Sequence, residues 1–312
     1  MKAFICTAYG PPNVLEPREV PAPAPRRDEV LIRVRAAGVT ASDIFIRSSQ
    51  VPLRLLIPMR LMLGITKPRK GIIGEVLAGE IAAVGEGIRR FEVGDRVAAV
   101  TGFSLGAYAE YKCMKEVDSK RGCLTHIAKN IGFEAATVAA YGGALALQFL
   151  ERDRIQPGRR VLVYGASGTC GTIAVQLAKY WGAEVTGVCS AAHVELVREL
   201  GADEVLDYSL DDSLEPNACF DFVLDAVGRA KTSKLKDACR RALAAGGKYA
   251  SIDDAALQLD SGRLERLNEL IETGHVRPVV DRTYPFEKLA EAHDYVERGH
   301  KAGGVAVSIG DR

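Results

Sequence analysis

The segment from Arg160 to Tyr208 constrains the chain most. An apolar run, Val161-Leu162-Val163-Tyr164, stops at Gly165-Ala166-Ser167-Gly168-Thr169-Cys170-Gly171. A helical pattern then carries on through Trp181, and a second apolar run follows from Glu184 to Ser190. Strand, glycine turn, helix and strand in that order make a βαβ unit, whose parallel strands need a sheet covered on both faces. The turn also leaves backbone N–H groups at the positive end of a helix, where an anion is stabilised. The spacing Ala166-x-Gly168-x-x-Gly171 is the dinucleotide fingerprint with alanine in the first glycine place. Gly168 then allows close approach of a pyrophosphate and Gly171 close packing of helix on strand. Gly165, Ala166, Ser167, Gly168, Thr169, Cys170 and Gly171 are therefore the expected cofactor loop.

The end of the second strand bears on which dinucleotide binds. An NAD site usually carries Asp or Glu there to accept hydrogen bonds from the ribose hydroxyls. This chain has Cys189 and Ser190, with Lys179 and His193 nearby and no carboxylate before Glu195. Without that negative charge a 2′-phosphate is not repelled, and Ser190 can donate to it, so NADP(H) is favoured. No arginine stands by to fork onto the phosphate, and a site that accepts either coenzyme stays open.

Composition excludes several classes. The chain has 312 residues, 47% of them apolar and 26% charged, with a formal net charge of +1. That length suits two domains, and that balance gives no basic excess for nucleic acid. Seven cysteines lie scattered without a CxxC pair, as suits a reducing compartment, and no run reads as a signal peptide or membrane span. The expectation is a soluble cytoplasmic protein.

The first third reads as β-rich, with Glu29–Arg35 alternating apolar and charged residues and glycine turns between short runs, which suggests a small barrel-like lobe. The pattern is helical over 134–150. After the glycine loop, strands at Glu204–Asp207, Phe220–Asp225 and Lys248–Ile252 alternate with helices, the mark of a doubly wound parallel sheet. A final strand at Val305–Ile309 is expected to rejoin the N-terminal lobe. Between Asp43 and Glu75 there is no acidic residue, while Arg47, Arg54, Arg60, Lys67, Arg69 and Lys70 interleave with leucines, isoleucines and methionines. This stretch reads either as an irregular lobe with its cations in water or as an apolar lip that admits a lipophilic substrate.

Many short motifs then match in order. They include Gly38-Val39-Thr40-Ala41-Ser42-Asp43, Leu77-Ala78-Gly79-Glu80-Ile81, Phe91-Glu92-Val93-Gly94-Asp95-Arg96-Val97 and Gly106-Ala107-Tyr108-Ala109-Glu110-Tyr111. Further along come Ala174-Val175-Gln176-Leu177-Ala178-Lys179, Leu200-Gly201-Ala202-Asp203, Asp225-Ala226-Val227-Gly228 and Glu291-Ala292-His293. Over essentially its whole length the chain resembles the medium-chain dehydrogenase/reductase superfamily, and within it the zinc-free quinone oxidoreductase-like branch. The resemblance implies an α/β fold with a GroES-like lobe, 1–128 plus 275–312, joined to a Rossmann domain, 129–274. It places the substrate in the cleft between them, with NADPH as hydride donor to a small lipophilic quinone or α,β-unsaturated carbonyl.

Zinc alcohol dehydrogenases share this fold, but where they hold a catalytic metal with a Cys and a Gly-His-Glu this chain has Thr40 and Gly74-Glu75-Val76. Thiolate and imidazole are both missing there, so no metal is expected. Carried over by position, Thr40, Asp43 and Tyr141 line the catalytic site, the backbone of Ala226, Val227 and Gly228 lies near the nicotinamide, and Tyr208 flanks the adenosine. Each has a plainer alternative: Thr40 a backbone cap, Asp43 a partner for Arg47 one helical turn on, Tyr141 a packing aromatic. The chain departs from the branch at Phe45, Ala140, Leu145 and Ala192. Its short link from Ser251 to the helix at Arg263 leaves out an extra strand pair, so the sheet is expected to be shortened and any homodimer through that edge weakened. Two other functions stay open: a nucleotide-binding protein with little turnover, and a zinc-type alcohol dehydrogenase with altered ligands.

Overall fold

A computed structural model of the chain describes residues 1–49, 57, 60, 61, 63–215, 217–229 and 231–310. They form two compact units, Met1–Ala140 with Leu259–Glu265 and Val280–Arg312, and Tyr141–Gln258 with Arg266–Val279.

The first unit opens with an antiparallel pair, β1 (Lys2–Cys6) and β2 (Leu15–Glu19). In β3 (Glu29–Val39) the alternation seen in the sequence is the alternation of faces: Val30, Ile32 and Val34 are buried and Arg33 points to solvent. The chain then forms α1 (Ala41–Ser48), β4 (Val76–Val84), β5 (Arg96–Val100), β6 (Tyr111–Lys115) and β7 (Cys123–His126). Ile32, Leu77, Ile81, Val97 and Leu124 belong to the core of this unit.

A helical stretch follows: α2 (Phe133–Val138), a wide π turn over Ala139–Gly143, and α3 (Ala144–Arg152). Among the described residues only Phe133–Arg152 has the length and hydropathy of a membrane span, and 78% of its most apolar window is buried inside the fold.

The second unit is the doubly wound sheet: β8 (Arg160–Tyr164), α4 (Thr169–Tyr180), β9 (Glu184–Cys189), α5 (Val194–Glu199), β10 (Glu204–Asp207), β11 (Phe220–Asp225), α6 (Lys234–Arg241) and β12 (Leu243–Ser251). All its pairings are parallel, in the order β10-β9-β8-β11-β12. Val161, Leu162 and Val163 of β8 are fully buried, as a central parallel strand must be. The strand order reverses beside β8, between β9 on one flank and β11 on the other. The crevice at the carboxyl ends of β8 and β11 is thus the place where such sheets bind ligands.

The last strand starts earlier than Lys248, because Gly246 with φ of 79° turns the backbone inside it and the register on β11 shifts between Phe220 and Phe222. No strand follows between 252 and 260, so the sheet ends at five.

After α7 (Ser261–Glu272) the chain forms β13 (Val280–Pro285), α8 (Leu289–Arg298) and β14 (Gly304–Ser308). β14 pairs antiparallel with β3, which completes a mixed seven-stranded sheet ordered β13-β14-β3-β4-β5-β7 with β6 also on β3.

Candidate functional site

In the second unit the expected cofactor residues come together. Gly165 leaves β8 with φ of 84°, and a Cβ there would sit 2.3 Å from Val227 Cγ1, so the loops after β8 and β11 lie against each other. The Gly165 and Ala166 N–H groups both donate to Val188 O (2.9 Å each), which ties the turn to β9. Gly168 begins α4 with no side-chain cap. Its imaginary Cβ meets only Gly165 O, at 3.4 Å, so the space before the helix is open and the first amides of α4 face it bare of side chains. A Cβ at Gly171 would meet Gly165 O at 2.1 Å, so Gly171 serves helix–strand contact. This cradle fits a pyrophosphate: a positive helix end, room for close approach and no competing carboxylate cap. Thr169 and Cys170 open the helix, Cys170 is buried, and Ser167 lies in the turn.

At the end of β9, Ser190 Oγ and His193 Nδ1 lie 3.3 Å apart. Tyr208, 37% exposed, anchors its N–H to Cys189 O at 3.1 Å. One carboxylate does stand close, Asp207 of β10, in register with Cys189. It is turned onto the Ser209 amide (2.9 Å) and hydroxyl (2.7 Å), and these bonds hold it below the usual carboxylate range.

The loop after β11 is set by residues the sequence did not single out. Asp225 is fully buried and accepts the Val227 and Gly228 N–H groups (3.2 Å each), the Tyr249 hydroxyl (2.7 Å) and the Lys236 ammonium (2.7 Å). Lys236 also donates to Gly228 O at 2.7 Å. Ala226, Val227 and Gly228 are thereby fixed beside the cradle. A carboxylate ending an apolar strand was the one sequence signal for this; Lys236 gave none.

Tyr141 stands in the π turn, partly buried. A Cβ at Gly142 would meet Thr169 O at 2.5 Å, and one at Gly143 Leu267 Cδ2 at 2.0 Å. Gly142 lets this turn press on the start of α4 and Gly143 lets it press on α7, which puts Tyr141 next to the cradle. Single wide turns inside helices recur at functional sites.

Thr40 and Asp43 belong to the first unit and form a capping box at the head of α1. The Asp43 N–H donates to Thr40 Oγ1 (3.2 Å), while Thr40 donates its amide (2.8 Å) and hydroxyl (2.7 Å) to Asp43 Oδ2. Asp43 Oδ1 accepts the Glu75 N–H at 3.1 Å. The expected pairing of Asp43 with Arg47 is not formed. Arg47, fully buried, instead salt-bridges Glu297 at 2.6 Å and donates to Gly10 O, because the Thr40 amide and hydroxyl and the Glu75 N–H claim the Asp43 carboxylate first.

Glu75 was missed except as a vanished ligand place. Its Oε2 is buried without a partner. Burial pushes both carboxyls up, and the negative charge of Asp43 drives Glu75 further. Behind them the buried Tyr108 hydroxyl lies 3.0 Å from His293 Nε2. Burial, then the Arg47 charge, push His293 down to about 3, so it is neutral. Its Nδ1 has no partner, which suits a lone pair better than an N–H and places the proton on Nε2.

The metal places do not fit zinc: Thr40 gives its proton to Asp43, Glu75 is a buried carboxyl pushed toward its protonated form, and among the described residues no three His, Cys, Asp or Glu side chains could hold a metal. Of the apolar lip, Leu53, Leu55, Leu56, Met59 and Met62 lie outside the described residues. Ile57, Leu61 and Ile65 are exposed.

A family model described as an alcohol dehydrogenase GroES-like domain matches residues 26–123, and two described as zinc-binding dehydrogenase match 169–258 and 256–307. The chain is 32% identical over 329 residues to the mitochondrial NAD(P)H oxidoreductase RTN4IP1 of Mus musculus, covering 90% of this chain and 82% of that protein. It is 29% identical to the chloroplastic NADPH-dependent alkenal/one oxidoreductase of Arabidopsis thaliana, over 98% of this chain and 79% of that one. A solved mycobacterial quinone oxidoreductase, 26% identical, shares the fold with a TM-score of 0.76 over 99% of this chain and 100% of its own. The chain belongs to the medium-chain dehydrogenase/reductase superfamily, in its quinone oxidoreductase-like branch, and is an oxidoreductase of that family.

Proposed function

We propose that this protein reduces α,β-unsaturated carbonyls or quinones with NADPH and without a metal. The observation that carries the reading is the open helix end at Gly168 joined to the Ser190–His193 pair at the end of β9. The names of the Arabidopsis and mouse relatives, NADPH-dependent and NAD(P)H oxidoreductases, support it. When bound, NADPH supplies the hydride. The chain supplies the binding: α4 takes the pyrophosphate, Ser190 and His193 take the 2′-phosphate, and the Asp225–Lys236 pair holds the 226–228 backbone against the cofactor. Thr40 has spent its proton on Asp43, so the hydroxyl proposed to meet a substrate oxygen is that of Tyr141.

Enones and quinones accept hydride without a Lewis acid, whereas an alkoxide needs one, which is why reduction is preferred to alcohol oxidation. Purified protein treated with a chelator, given NADPH and a panel of enones and quinones, tests the proposal. It predicts NADPH oxidation with stoichiometric product. NADPH fluorescence that shifts on binding yet never decays would leave a nucleotide-binding protein without turnover.

A further inference from the structure

We propose that a second cavity, confined to the first unit and unconnected with the Thr40–Asp43 network, binds a small soluble polyanion of phosphate chemistry. The cavity has a volume of about 560 Å³, the size of a metabolite site, and Arg26, Arg69, Lys70, Lys112, Lys115 and Arg121 line it. Its position follows from the sheet. β6 forms one wall and pairs with β3 through Lys112 opposite Ile32 and Lys115 opposite Glu29, whereas Thr40 caps α1 beyond the other end of β3.

The charges are unbalanced. Lys115 pairs with Asp28 at 2.6 Å, but among the described residues the other five cations make no ion pair. Glu29 is the one acidic residue in the lining, and its carboxylate is turned onto the Arg26 backbone N–H at 3.1 Å. A chain with a net charge of +1 has thus gathered five uncompensated cations around one hollow. Such crowding costs energy when empty and is repaid by an anion that several of them share.

Lys112 is the clearest sign. It is half-buried, and its Nζ lies where a side chain on Gly106 would have to go, at 3.1 Å from the imaginary Cβ. Burial, then the like charges of Lys70 and Arg121, push its ammonium down to about 8. Bare backbone at Gly106 leaves room for that ammonium in the lining. A monovalent carboxylate would satisfy one or two of these cations. A ligand with several phosphate oxygens matches the set.

Isothermal titration of the full chain with inorganic pyrophosphate, run with NADPH in excess so that the cofactor cradle is filled, tests the assignment. Saturable binding of about one pyrophosphate per chain is expected, weakened about tenfold or more in Lys112→Met/Arg121→Gln and in the more conservative surface pair Arg26→Gln/Lys70→Gln. Gly168→Asp, which blocks the cofactor cradle, should leave it unchanged, and this separates the proposal from the reading of the NADPH site. No saturable heat overturns it, as does binding lost in Gly168→Asp but kept in both charge-reduced pairs. Sedimentation with anionic phospholipid vesicles in the absence of pyrophosphate binding would assign the cations to a membrane surface and overturn the small-ligand assignment.

Discussion

Glu75 shows what one residue can do to the pH response of the whole fold. Its carboxyl, ordinarily near 4.5, is pushed up to about 8 by burial and by the charge of Asp43. Between those values the folded chain keeps a proton that the unfolded chain has released, so the stability this group contributes falls as pH rises through that window and is gone above it. Glu75→Gln removes the titration. Its melting temperature should equal or trail that of the native chain at pH 5 and exceed it by about 2 °C or more at pH 9; parallel curves would show that Glu75 is ionised throughout.

Ser190 makes a second residue-scale case. A carboxylate there would repel a 2′-phosphate and accept from ribose hydroxyls. Ser190→Asp should shift the ratio of NADPH to NADH affinity toward NADH by about tenfold or more, measured by fluorescence titration. The place of Ser190 at the end of β9 was legible in the sequence because it is a position counted from the glycines. Glu75, Asp225 and Lys236 were not, because their roles arise from partners brought near only by the fold. Asp43 was misread for the same reason: its spacing to Arg47 suits a helical ion pair, yet a capping position has nearer donors to serve.

At the scale of elements, the cradle separates two uses of glycine that look alike in sequence. Gly168 has room and an ordinary backbone, so Gly168→Asp should fold, keep its melting temperature within about 2 °C, and lose NADPH affinity by about a hundredfold as a carboxylate caps the helix. At Gly171 any Cβ strikes Gly165 O, so Gly171→Val should cost roughly 3 kcal/mol or more of stability in urea melts. Equal stability of the two variants would contradict the packing described. The βαβ unit was readable because strand, turn and helix each carry a local signal. The π turn was not: an alanine-rich helix looks continuous in sequence, and an added residue per turn leaves the apolar run intact.

Across the whole molecule, the first and last parts of the chain share one unit. Val305–Val39 pairing puts β14 on β3, the return that the closing apolar run led us to expect. Arg47 of α1 and Glu297 of α8 add a second tie between distant parts of the chain. The guanidinium is fully buried, so its loss leaves Gly10 O without its donor, while Glu297, which reaches solvent, loses its partner. Arg47→Met should lower unfolding free energy by about 1–3 kcal/mol in urea melts, while Glu291→Gln, which loses only a surface pair to Lys288, should change it by under ~1 kcal/mol.

The α/β fold was legible because it rests on ordered motifs along the chain. The cationic cavity was not, since Arg26, Lys70, Lys112 and Arg121 come from separate segments that only the β3–β6 pairing and its neighbouring loops assemble. The central claim is hydride transfer from NADPH to an activated carbon without a metal. Mass spectrometry of the product formed from an enone and NADPH deuterated at the nicotinamide C4, with chelator-treated protein, tests it most directly. The account predicts one deuterium on the β-carbon of every product molecule. NADPH held without deuterium transfer, or transfer that stops when metal is removed and returns when it is restored, would contradict it.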